Sequence, residues 1–61
     1  MTIAVQVNGK LRASIDVPSE SIEEDVVEAA RADGNVTRHI DGLEERRVIY
    51  VKHRLVNFVV T

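Results

Sequence analysis

The 61-residue chain reads as an α+β domain. Two β-hairpins form one sheet, and one main helix and a second short helix pack on one face, in the order ββααββ. Three observations predict this. Apolar and polar residues alternate on both sides of an Asn8-Gly9 pair, a helical period begins after Ser21, and β-branched residues return densely from Arg46 to Thr61.

In the first hairpin, Ile3, Val5 and Val7 alternate with Ala4, Gln6 and Asn8, and Leu11, Ala13, Ile15 and Val17 alternate with Arg12, Ser14 and Asp16. An Asn-Gly pair between two such stretches suits a type I′ turn, whose central residues both take positive φ. Strands are expected over about 3–8 and 10–17. Ile3, Val5, Val7, Leu11, Ala13 and Ile15 should then share one buried face beneath the helix. Pro18 ends the ladder because it lacks the N–H that the next pairing would need.

A helix is predicted over about 22–33, with Ile22, Val26, Ala29, Ala30 and Asp33 on one stripe. Ser21 and Glu24 form the S-x-x-E pattern of a capping box, and Glu23, Glu24 and Asp25 complement the helix dipole. Gly34 suits the position after the helix. Asn35 can cap a short second helix, with Val36 and Ile40 inward and Gly42 ending it. Arg46 to Lys52 is apolar on both parities around Val48, Ile49, Tyr50 and Val51, as in a strand covered on both faces or central in its sheet. Lys52-His53-Arg54 forms a turn without Gly or Pro, and Leu55 to Thr61 is the last strand.

Cysteine is absent, which excludes a disulfide framework and thiolate metal sites. No apolar run approaches the ~20 residues that span a bilayer, and no charged start leads into an apolar stretch as in a secretory leader. The expectation is a soluble, cytoplasmic single domain over residues 1–61, too small to enclose a deep catalytic pocket easily. Catalysis has little support. His39 and His53 have no partner at metal-ligand spacing, and Glu23, Glu24, Asp25 and Glu28 read as a solvated helix start. No nucleophile–base pattern and no phosphate-cradling glycine loop is present.

The net charge of −2 hides a segregation: residues 1–15 carry +2, residues 16–45 carry −8 and residues 46–61 carry +4. Lys10 and Arg12 share one strand parity beside the Asn8-Gly9 tip. Arg46 and Arg47 open the third strand, and Lys52 and Arg54 flank the last turn. If the hairpins are neighbours, six cations gather, and phosphate binding needs little more. The competing reading is solubilising charge on sheet edges. Tyr50 and Phe58 read as core residues, and two aromatics are too few for a base-stacking surface. A nucleic acid would therefore be read by shape and backbone.

The residues VQVNGKLR (Val5 to Arg12) closely resemble the start of the C-terminal domain of bacterial leucyl-tRNA synthetases. Val17-Pro18, SIEEDVVEAA (Ser21 to Ala30), V..HIDG (Val36 to Gly42), R.VIYV (Arg46 to Val51) and LVNFVV (Leu55 to Val60) follow in order, so the resemblance covers nearly the whole chain. It implies a tethered, non-catalytic appendage that touches the outer corner of tRNA, where the D and T loops meet, and supports aminoacylation. The implied partners are tRNA, specifically leucine tRNA, and the synthetase body, with no membrane and no small-molecule substrate. ATP, leucine, zinc and editing sites belong to other domains of that family, so no cofactor, metal or catalytic residue is carried over. The RNA-binding residues implied are Lys10, Arg12, Arg46, Arg47, Arg54 and Asn57. Ser14 stands where the family commonly has another Lys, and Lys52-His53-Arg54 replaces its Pro-Gly-Lys turn; both departures imply weaker binding. The resemblance fits an excised domain or a free-standing relative. The alternative function is a free-standing protein-interaction module that kept the fold but lost tRNA binding, using its acidic helix and strand edges.

Overall fold

The computed structural model describes residues 1–61. The elements are β1 (Thr2–Val7), β2 (Lys10–Asp16), α1 (Glu23–Ala32), α2 (Gly34–Ile40), β3 (Glu45–Val51) and β4 (Leu55–Val60), which is the ββααββ order expected. The four strands form one sheet in the order β2-β1-β4-β3. Each hairpin is antiparallel, and the two meet through β1 and β4, which run parallel. A parallel pair needs a long crossover, and the α1–α2 segment supplies it.

The first turn is as expected, with Asn8 at φ 53° and Gly9 at φ 80°. The second turn has no glycine, and His53 takes the left-handed conformation there at φ 64°. Gly42 ends α2 at φ 78°.

The core lies between the helices and one sheet face. Ile3, Val5 and Val7 of β1 and Val56, Phe58 and Val60 of β4 meet Val26 and Ala30 of α1 and Val36 of α2, and no polar side chain is buried with them. Alternation puts every second residue of the two central strands on this face. α1 lies over the β4–β3 side. Its Arg31 guanidinium sits 5.8 Å from the Phe58 ring centroid and reaches Glu45 at 2.9 Å. α2 packs on β1 and β2.

Several local expectations change. Leu11 is 62% exposed and not in the core. The two-residue turn pairs Val7 with Lys10 and Gln6 with Leu11, which puts Leu11 on the open face, and Arg12, the extra residue in β2, then returns Ala13 and Ile15 to the core face opposite Val5 and Ile3. β3 is an edge strand, not a central one, and its outward residues Ile49 and Val51 are 39% and 41% exposed. Ile22 is 61% exposed because it precedes α1 in extended conformation, outside the helical phase. No side chain caps α1, so the Ser21–Glu24 box does not form. α2 is capped by Asp33, not Asn35: the Asp33 side chain accepts from the Asn35 and Val36 N–H groups at 2.9 and 3.4 Å. Gly34 opens α2 as its first residue, with no left-handed φ.

Candidate nucleic-acid interface

Because β1 and β4 are parallel, the Asn8-Gly9 tip lies beside the end of β4. β3 runs antiparallel to β4, so that end of the sheet is also where β3 begins with Glu45, Arg46 and Arg47. Lys10 and Arg12 on one edge and Arg46 and Arg47 on the other therefore share one end of the sheet. Three interstrand spacings separate the edges, roughly 14 Å of backbone.

Both edge strands carry a bulge at this end. In β2 the residue left over is Arg12. In β3, Glu45 pairs with Val60 and Arg47 with Val59, which leaves over Arg46. A bulge bends its strand and re-aims a side chain. The parity expected to put Lys10 and Arg12 on one face does not carry through the bulge. Lys10 pairs with Val7, in register with the core face, whereas Arg12 has no partner. The two cations share the tip region, and only Lys10 is held in strand register.

Lys10, Arg12 and Arg47 make no ion pair within 4 Å, while Arg46 meets Glu44 at 3.4 Å and donates from Nε to Thr61 Oγ1 at 3.0 Å. Arg54 is also unpaired, but it lies at the far end of the sheet. Its carbonyl accepts from Ala4 N–H at 3.0 Å, beside the β3–β4 turn. Lys52 borders an open cleft of about 470 Å³ there with Glu20, Glu23 and Tyr50, whose buried hydroxyl has no partner. The six cations thus divide four and two, with Glu44 beside the larger group and Glu20 and Glu23 beside the smaller.

Asn57 is on the open face, paired in register with Gln6 on one side and Ile49 on the other. Its Oδ1 accepts the Gly9 N–H at 3.0 Å, so part of the side chain is already committed to the hairpin tip. Asn8 makes the reciprocal tie, with its Oδ1 accepting Val60 N–H at 2.9 Å and its own N–H donating to Phe58 O at 2.8 Å. The sequence reading missed this role of Asn8.

The helices cover only one sheet face. The other carries Leu11, Ile49 and Val51, exposed, around Gln6 and Asn57, with Arg47 in the same outward register. The acidic first turn of α1 (Glu23, Glu24, Asp25) lies on the helical side. His39 Nδ1 contacts Asn35 O at 2.7 Å, and no three metal-ligating side chains come together. No helix is long and apolar enough to cross a membrane.

No family model matches the chain. It is 54% identical over 59 residues to the leucine–tRNA ligase of Ectopseudomonas mendocina, and 47% identical over 57 residues to that of Pasteurella multocida. These alignments take in 97% and 93% of this chain and 7% of each relative, a C-terminal part that leaves out the catalytic region. A crystal structure of the ternary complex of Agrobacterium radiobacter K84 LeuRS with tRNA and LeuAMS matches with a TM-score of 0.94 and 30% identity. That match covers 100% of this chain and 8% of the solved one.

Proposed function

The chain is a homologue of a C-terminal part of the leucine–tRNA ligases, and from that premise we propose that it is a non-catalytic tRNA-binding appendage. It touches the outer corner of tRNA through backbone and shape and supports the attachment of leucine by a catalytic body elsewhere. Residues 1–61 act as one domain, in the cytoplasm, with leucine tRNA and the synthetase body as partners.

One observation carries the reading. The parallel β1–β4 pairing brings Lys10, Arg12, Arg46 and Arg47 to one end of the sheet, away from the acidic start of α1. A polyanion meets this local field rather than the net charge of −2. Phosphates on a folded backbone suit four cations spread over about 14 Å. Arg54 makes a separate, outlying contact. Asn57, with one carbonyl already engaged, adds at most its amide N–H₂.

The test is titration of the chain with folded leucine tRNA at low salt, followed by amide shift changes. Binding with a dissociation constant on the order of 10⁻⁶–10⁻⁴ M is expected for backbone contact. Shifts should gather on residues 8–12, 46–47 and 57–60. No shifts at millimolar concentration, or shifts confined to 22–33, would overturn the reading and favour the protein-interaction alternative.

A further inference from the structure

We propose that Asn8 and Asn57 are positioning residues for RNA binding: their side-chain carbonyls fasten the β1–β2 turn to β4 and so hold Lys10 and Arg12 in a fixed relation to Arg47. This rests on the tRNA-binding reading above and adds to it a role for two side chains that need not touch the RNA.

The geometry shows why a fastening is needed. The regular β1–β4 ladder stops at Val7–Phe58. Beyond it the turn belongs to a two-stranded ribbon at the sheet edge, with the Arg12 bulge interrupting β2 three residues after Gly9. Such a ribbon bends readily. Three bonds extend the parallel pairing past its end. Asn8 N–H donates to Phe58 O at 2.8 Å, Asn8 Oδ1 takes the place of a backbone carbonyl for Val60 N–H at 2.9 Å, and Asn57 Oδ1 accepts Gly9 N–H at 3.0 Å. Two of the three depend on these side chains. β4 is also the strand on which Arg47 is registered, opposite Val59. Fastening the tip to β4 therefore ties the two cationic edges to a common central strand.

The ordinary account of Asn8 is that Asn favours the left-handed region of a type I′ turn, and that account also holds. It predicts indifference to Asn8→Gly, since Gly occupies the same region without strain. The fastening predicts otherwise, because Gly cannot supply the acceptor for Val60.

The experiment compares wild type, Asn8→Gly, Asn57→Ala, Lys10→Ala and the double variants Asn8→Gly/Lys10→Ala and Asn57→Ala/Lys10→Ala. Each is titrated with a folded leucine tRNA transcript at several salt concentrations, well below its unfolding temperature. Asn8→Gly and Asn57→Ala should each weaken binding roughly three- to tenfold, the span that one hydrogen bond commands. Exchange of the Gly9 and Lys10 amides should quicken in both. In the Lys10→Ala background the further loss should shrink to the part that acts through Arg12, because a positioning residue acts through the groups it holds. A merely destabilising change would not produce that coupling. Unchanged affinity in both single variants, or losses that multiply fully with Lys10→Ala, would overturn the proposal while leaving tRNA binding standing. Failure of the wild type to bind would overturn the functional reading and this inference with it.

Discussion

Asp33, not Ser21, supplies the side-chain cap in the helical segment, and stability should follow. Asp33→Ala removes the acceptor for the Asn35 and Val36 N–H groups and should cost about 0.5–2 kcal/mol in urea unfolding. Ser21→Ala should shift the same curve by less than ~0.5 kcal/mol, since no side chain bonds the start of α1. The sequence allowed either outcome. Ser, Asp and Asn all favour caps, and the choice depends on where the backbone turns extended, which it does at Ile22 and again at Asp33. Gly9 was legible from its neighbours alone. At φ 80° it admits no strain-free β-branched side chain, although an added Cβ would meet nothing within 4 Å. Gly9→Val should therefore cost more than ~1 kcal/mol through backbone strain alone. Melting that matches wild type would show that the turn relaxes to another type.

Element by element, the order of strands and helices could be read from periodicity, but register could not be read from alternation alone. A two-residue turn at Asn8-Gly9 pairs residues whose numbers have opposite parity. Val5 would then face Arg12, and the six apolar residues of the hairpin could not share one face. An extra residue in β2 resolves this in part: the Arg12 bulge brings Ala13 and Ile15 opposite Val5 and Ile3, while Leu11, ahead of the bulge, stays on the open face. That conflict was the signal for the bulge. β3 departs from expectation for a related reason: apolar residues on both parities suit a strand covered twice, yet Ile49 and Val51 line the side that no helix covers. The register makes a direct test. Leu11→Ala should change stability by less than ~0.5 kcal/mol because Leu11 is on the open face. Phe58→Ala, at the centre of a core of nine residues, should cost about 3–5 kcal/mol. A domain this small has only about 3–9 kcal/mol in total, so that variant should be largely unfolded by circular dichroism at 37 °C.

For the whole molecule, charge position matters more than charge sum. A chain of net charge −2 repels a polyanion at distances where its charges blur together. Within a Debye length the tip end of the sheet presents Lys10, Arg12 and Arg47 unpaired, with Arg46 partly engaged by Glu44. Arg54 stands at the other end of β4, roughly 20 Å of strand away. Except for Asn57, the candidate residues were all visible as cations in the sequence. Their division was not, because it follows from the β1–β4 pairing, which local pattern does not encode. Three neutralised phosphates should give a log–log salt slope of roughly −3 for tRNA binding. Lys10→Ala and Arg47→Ala should each flatten it by about one unit, while Arg54→Ala flattens it less. Glu44→Gln should tighten binding, since it removes an acid from the basic end and frees Arg46. An unstructured RNA of the same length should bind less well than folded tRNA, because the spacing between the two edges is fixed by the sheet and only a fixed backbone can match it. If Arg54→Ala flattened the slope as much as Lys10→Ala, the RNA would have to lie along the full length of the strands. The tip would then be one end of a longer footprint, and the open face around Gln6, Asn57 and Ile49 would lie beneath the ligand.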